Sequence, residues 1–523
     1  MATRPRLVQA FLSLVLLAAS ASAADWYVDA ALGSDANAGT SPALAWRTIT
    51  HAVQTVPAPG AGETHVIHVA PGLYDLAHGE AFPWPMRVGV EVVGDLGSGS
   101  VTIDSAGATV MSAFVHASAP SQAAVVRGAT LRNVGTGFSG YVAAAGGCSV
   151  TLEDVVIENA SGHAVWIDVY AQGQFFSGYA SATLDRVRID GAGNGVYVQE
   201  WMSHGGATLV ARDCEFRGIA GVAVDYARQH ATSGTLTLER CRIVDNAGSA
   251  VRAYVDSPAY GTIEIEDCLI ARNGGHGLEG DASSLGGGGS IRRCTIVESG
   301  GAGVRTTGGF FAAVENTILY GNTDDVDGAV SARWSDIGDG DFAGVDGNFS
   351  ADPLFRDAAN GDWRLSWQCP CVDTGDPAAV AGTLDLAGTL RHVDGDLDIE
   401  ERIDLGAFEF RPLDAASVAQ VGQPLVLEQW GRTGGSAILY LGRNGPQSVP
   451  LATPFGEFDL DPNAFRDLGP GPTASGPPAL RLIPIPADPV YAGLTFTFQA
   501  RARSGIAPQG SAYTNPLTVT IVP

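Results

Sequence analysis

One short pattern returns through the middle of this chain, and it restricts the fold more than any other feature. Thr151-Leu-Glu-Asp-Val-Val-Ile-Glu-Asn159, Leu236-Thr-Leu-Glu-Arg-Cys-Arg-Ile-Val-Asp-Asn246 and Ile263-Glu-Ile-Glu-Asp-Cys-Leu-Ile-Ala-Arg-Asn273 are copies of it. Each copy runs into a Gly-rich turn and a short apolar segment, such as Ala164-Val-Trp-Ile-Asp168 or Ala250-Val-Arg-Ala253. Equivalent positions are Gly128, Asp154, Arg186, Asp213, Arg240, Asp267, Arg293 and Asn316, in steps of 26, 32, 27, 27, 27, 26 and 23 residues. A sustained period of this size is the mark of a solenoid, in which each unit buries its apolar face only against its neighbours.

The residues say which solenoid. Ile263 and Ile265 alternate with Glu264 and Glu266, a strand period of two. No ten-residue helical stretch lies inside the unit, and the Leu-x-x-Leu-x-Leu pattern of leucine-rich repeats is missing. A unit of two or three short strands between turns closes as one coil of a parallel β-helix. Coils stacked at the inter-strand spacing of about 4.8 Å would extend the repeats over roughly 40 Å. The expected fold class is all-β: a right-handed parallel β-helix followed by a small β-sandwich-like domain.

Register also accounts for four of the seven cysteines. Cys214, Cys241, Cys268 and Cys294 share one coil position, preceded by Val155 and Val187 and followed by Thr317. An inward stack of thiols packs as small apolar side chains. Parallel side-chain vectors make disulfides between adjacent coils awkward. The stack is therefore expected to be structural.

Both ends of such a rod need covers. Ile49, Ala52, Val53 and Val56 have i, i+3, i+4, i+7 spacing, which predicts a short amphipathic helix plugging the first coil. Arg4 and Arg6, the apolar run Leu7 to Ala18 and Ala21-Ser-Ala23 read as a Sec-type export signal over residues 1–24, as in bacterial proteins. Export to the medium or the cell surface is the expectation, and no transmembrane segment is expected. The formal net charge of −26 repels phosphate backbones, so nucleic acid is a poor partner. Past Pro412, Leu425–Leu427, Ala437–Leu441, Leu494–Ala500 and Leu517–Ile521 read as strands of a small sandwich.

Two stretches resemble known families. Tyr27-Val-Asp29, Gly33-Ser-Asp35, Asn37-Ala-Gly-Thr40, Trp46-Arg-Thr-Ile49, Val69-Ala-Pro-Gly-Leu-Tyr74 and Gly79-Glu-x-Phe-Pro83 resemble the DUF1565 family of secreted β-helix proteins. That resemblance implies a pectin-lyase-like right-handed β-helix and brings no agreed catalytic residues. Trp334-Ser-Asp336, Asp352-Pro-Leu-Phe355, Asp373-Thr-Gly-Asp376, Arg391-x-x-Asp394-Gly395 and Asp404-Leu-Gly-Ala-Phe-Glu409 are similar to the choice-of-anchor type Q module. Cys369-x-Cys371 departs from that module's usual Ser-x-Ala or Ser-x-Cys. The likeness implies a closing module, often met in proteins held at the envelope. The resulting division is an export signal (1–24), a cap with first coils (25–110) and coils (111–328). A closing module (329–411) and a C-terminal sandwich (412–523) complete it, the last with attachment as its expected role.

A β-helix presents ligands with outward side chains aligned coil on coil. Pairing Val165, Val196, Val222, Val251, Leu278 and Val304 puts Trp166, Tyr197, Ala223, Arg252, Glu279 and Arg305 in one outward row. The next row is Asp168, Gln199, Asp225, Tyr254, Gly280 or Asp281, and Thr307. Phe175, Phe176, Tyr179, Trp201, His204, Tyr226, His230 and Tyr260 flank this strip. Aromatic faces mixed with arginines and carboxylates suit a sugar chain, which stacks and hydrogen-bonds at once. An extracellular polysaccharide is the expected partner, held by Trp166, Tyr197, Gln199, Trp201, Tyr226, Tyr254, Glu279 and Arg305.

Three functions stay open: glycan binding without chemistry, a polysaccharide lyase or hydrolase, and a structural surface spacer. The catalytic option uses Asp168 and Asp225, two coils and roughly 9.5 Å apart, near the upper limit of an inverting carboxylate pair. Arg252 would be its base only if strongly perturbed. No metal ligands and no cofactor are assigned, with Ca²⁺ left as an option. Asp394-x-Asp396-x-Asp398 has the odd-position spacing of a Ca²⁺ loop, but Ile399 stands at its turn glycine and Leu405 at its bidentate glutamate. A solvated acidic turn is the expectation there.

Overall fold

The computed structural model describes residues 24–60, 63–115, 122–143, 146–170, 178–201, 205–228, 233–255, 261–283, 287–379, 384–432, 434–443 and 445–523. Residues 1–23 of the expected export signal lie outside them, as do Phe175, Phe176, His204, His230 and Tyr260.

Among the described residues the chain is a parallel β-helix with small antiparallel sheets at its C-terminal end. One face is a twelve-stranded parallel sheet running from Ala24–Val28 to Val330–Arg333. Eleven steps at about 4.8 Å give it a length of roughly 53 Å. The other two faces belong to one nineteen-stranded sheet. The second carries three-residue strands such as Arg242–Val244 and Leu269–Ala271, and the third carries longer ones such as Val224–Arg228 and Val251–Val255.

The corners explain the period. All eight aligned positions, Gly128 to Asn316, are left-handed, with φ between 48° and 66°. They form the turn from first to second face. An L-residue held there is uncommon, and the helix repeats it every coil because adjacent coils satisfy each other. Arg186 pairs with Asp154, Arg240 with Asp213 and Arg293 with Asp267, each through two nitrogens of the guanidinium. The corner is thus an alternating-charge ladder.

Just inside it runs the thiol stack. Val187 N–H donates to Cys214 Sγ at 3.4 Å, Cys241 N–H to Cys268 Sγ at 3.4 Å and Cys294 N–H to Thr317 Oγ1 at 3.2 Å. All seven cysteines are buried. At the next corner Asn246 and Asn273 stack the same way, Asn246 Nδ2 donating to Asn273 Oδ1 at 2.9 Å. These ladders satisfy the buried backbone groups that each turn exposes.

The expected helix spans Ile49–Thr55, with Ile49, Ala52, Val53 and Val56 all buried against the first coil. Thr48 Oγ1 accepts His51 N–H at its N-cap, and the buried Glu80 carboxylate accepts Ile49 N–H at 2.7 Å and Thr50 N–H at 2.8 Å. At the other end, residues 363–379 and 384–410 fold back over the second face of the last coils. Trp363, Ala407 and Phe408 cover Leu269, Ala271 and Val297. Ala407 N–H donates to Thr295 Oγ1 at 2.9 Å, and the Arg272 guanidinium lies 4.5 Å over the Trp363 ring. Arg391, wholly buried, holds Asp267 of the charge ladder at 2.8 Å. Beyond it, a three-stranded and a five-stranded antiparallel sheet share a core of Leu413, Leu427, Leu439, Phe498 and Ala500.

Candidate functional site

The third face holds the expected strip, with one change of register. Trp166 stands beside Tyr197, Asp168 beside Gln199 and Tyr170 beside Trp201. On the following coil, however, Val196 pairs with Val224 rather than Val222, so Tyr197 stands beside Asp225 and Gln199 beside Ala227. From there the register runs as expected: Asp225, Arg252, Glu279, Arg305 and Asp327 in one row, then Ala227, Tyr254, Asp281 and Thr307 in the next. The displacement is two residues. Because side chains alternate with period two, such a slip leaves every apolar residue inward, and the hydrophobic pattern cannot detect it.

Four corrections follow. Ala223 lies in the turn, wholly buried, and leaves the strip. Tyr226 points inward with 1% exposure, and its hydroxyl donates to Ala207 O at 2.8 Å, so no sugar ring reaches it. Asp168 and Asp225 now occupy different rows as well as coils two apart, a Cα separation of roughly 12 Å. An inverting pair, with roughly 6.5–9.5 Å between carboxyl groups, would need the two side chains to lean together across the strip. Finally, Arg252 Nε donates to Asp225 Oδ1 at 3.0 Å and its Nη2 to Oδ2, and this pairing pushes the guanidinium pKa up. A cation stabilised in its charged form cannot take a proton, which removes Arg252 as a base.

The remaining strip divides in two. Over residues 139–201 its outward side chains include Tyr141, Trp166, Asp168, Tyr170, Tyr197 and Trp201. Trp166, Tyr170 and Tyr197 are half-buried, Trp201 is 37% exposed and Gln199 almost covered. Tyr179, on the first face, is exposed. Tyr141 and Tyr170 were not among the expected contacts, though extending the same alignment by one coil and by two residues would have found them. The His163 ring lies 5.6 Å from the Tyr197 ring. Burial lowers the His163 pKa, keeping the imidazole neutral, and raises that of Asp168, whose Oδ1 is buried and meets no donor among the described residues.

Over residues 225–327 charges pair with one another. Besides Asp225–Arg252, Arg305 lies 3.4 Å from Asp327 and its Nη1 is 3.2 Å from His276 Nε2. Glu279 accepts from Ser249 Oγ at 3.3 Å, and Asp281 from Thr307 Oγ1 at 2.9 Å. Tyr254 stands half-buried among them. The Asp394–Asp398 loop lies elsewhere, in the segment that closes over the second face.

Fold and strip together define a parallel β-helix protein with an outward aromatic row. Residues 31–212 match the family model described as Protein of unknown function (DUF1565), which agrees with the resemblance carried by Gly33-Ser-Asp35 and Trp46-Arg-Thr-Ile49. No curated protein matches the chain. Among solved structures it is similar to the GH136 lacto-N-biosidase from Eubacterium ramulus, at 11% identity and a TM-score of 0.23, over 59% of this chain and 67% of that one. A likeness that weak says nothing about chemistry. No helix among the described residues is long and apolar enough to cross a membrane.

Proposed function

We propose that this is an exported protein that binds an extracellular polysaccharide along the third face of its β-helix, without cleaving it. The observation that carries the reading is the aromatic row Trp166–Tyr197 with Tyr170–Trp201 beside it, on adjacent coils of one flat sheet. Rings repeating at strand spacing offer a polymer successive stacking platforms, and Asp168 among them adds a polar group. The ion pairs of the neighbouring coils speak against chemistry there, because their charges already have partners. The closing segment and the C-terminal sandwich would hold the protein at the envelope, as the choice-of-anchor likeness implies. The spacer reading remains the outcome if no polymer binds.

Co-sedimentation of the mature protein with acidic and neutral polysaccharides tests this, with reducing ends and unsaturated uronides followed in the same tubes. The expected result is binding without turnover, weakened by more than about 30-fold in the Trp166→Ala, Tyr197→Ala double variant, since buried aromatic anchors contribute about 2 kcal/mol or more each. Unchanged affinity in that variant would discard the strip. One observation favours an enzyme instead: Asp168 is desolvated and raised, as a general acid is. Turnover lost in Asp168→Asn would establish that second reading.

A further inference from the structure

The acidic loop Asp394–Asp398 gains a partner that spacing within the loop does not show. Asp373, from a separate stretch, turns its carboxylate into the loop, where Oδ2 accepts Asp396 N–H at 2.8 Å. Asp373 is only 9% exposed, and its other oxygen, Oδ1, is sealed from solvent with no donor in reach among the described residues. One carboxylate oxygen from each of Asp373, Asp394 and Asp396 lies within 4.8 Å of the other two. An ion centred among three oxygens so spaced lies within about 2.8 Å of each, close to the Ca²⁺–oxygen range of about 2.3–2.6 Å.

No ion pair among the described residues reaches any of the three. Arg391, the nearest buried guanidinium in sequence, is committed to Asp267 and Glu409, and Arg402 to Glu400. Arg402 acts on Asp396 from a distance, but no cation meets the sealed, undonated oxygen of Asp373 among the described residues.

Both sequence objections to a Ca²⁺ loop lose force here. Ile399 adopts φ 75°, the left-handed turn that glycine would supply at that loop position. The chain makes the turn in spite of the branched side chain. Leu405 is not needed as a ligand position, because Asp373 comes in from outside the loop.

We infer that Asp373, Asp394 and Asp396 bind one Ca²⁺, which ties the loop to the segment that closes over the β-helix. Asp373 N–H donates to Asp404 Oδ1 at 2.7 Å, and Val393 N–H to Glu409 Oε1 at 3.1 Å, so the ion sits where the closing segment is stitched to itself. Oxygen-only ligands suit a hard cation rather than a zinc-type site, and a loop of carboxylates suits Ca²⁺ better than Mg²⁺, which demands near-ideal octahedral geometry.

The test uses the mature full chain, stripped of divalent ions with a chelator and desalted. CaCl₂ and MgCl₂ are titrated separately by calorimetry, with thermal melting in parallel. Expected are one Ca²⁺ per chain with Kd of about 10⁻³ M or tighter, a higher Tm with Ca²⁺, and much weaker Mg²⁺. Asp396→Asn, at a half-buried loop position, should fold as the parent does and lose affinity by at least about tenfold. Asp373→Asn should behave alike and serves as the second variant. No heat and no change in melting on adding Ca²⁺ would overturn the site. So would unchanged affinity in Asp396→Asn, or Mg²⁺ binding as well as Ca²⁺.

Discussion

The second and third faces of this β-helix are built from the same coils, yet their outward side chains meet different fates. On the second face, Leu269, Ala271 and Val297 point outward and are buried because Trp363 and Phe408 lie over them. On the third, Trp166, Tyr197 and Trp201 also point outward and retain exposed surface. Outward apolar residues are therefore not one signal. Where the chain supplies its own cover, they are core. Where they keep contact with solvent in a row, they form a candidate binding surface. The covering residues are also polar-locked, through Arg391 on Asp267 and Ala407 on Thr295, whereas the aromatic row sits among residues that leave it accessible.

The largest effect should come from breaking the lock. Arg391→Ala leaves Glu409 buried without its guanidinium and Asp267 with Arg293 alone, and breaking a buried pair costs about 3–5 kcal/mol. Hydrogen exchange should then speed up over residues 363–410 and leave the first coils alone. Uniform destabilisation of all coils would mean that the cover is not a separate element. The aromatic double variant should be nearly neutral in melting temperature while losing polysaccharide, the reverse of Arg391→Ala. The smallest effect belongs to Arg252→Ala. Its guanidinium is half exposed while Asp225 is nearly covered, so the loss should stay at about 1.5 kcal/mol, the low end for hydrogen bonds to a charged group. A loss of several kcal/mol there would show that the charged coils depend on their outward ladder.

Much of this was legible in the sequence because a solenoid repeats its reasons. The eight aligned positions from Gly128 to Asn316 are the left-handed corner itself, and the cysteine register, the helix at Ile49–Thr55 and the C-terminal strands stand where alternation and spacing put them. What was not legible has physical causes. The two-residue slip at Val224 preserves inward and outward parity, so Val222 and Val224 fit the core pattern equally well. That slip turned an apparent Asp168–Asp225 row into a diagonal. Tyr226 carries a hydroxyl, which reads as a surface feature until Ala207 O is seen to accept it. Asp373 lies 21 residues before Asp394, and only the folded closing segment brings the two together.

Carbene footprinting with and without a bound polysaccharide tests the central claim most directly, because it reports where the polymer lies. Protection over residues 139–201, centred on Trp166, Tyr197 and Trp201, with residues 225–327 little changed, is the result this account predicts. Protection confined to the ion-paired coils, or to the C-terminal sandwich, would contradict it.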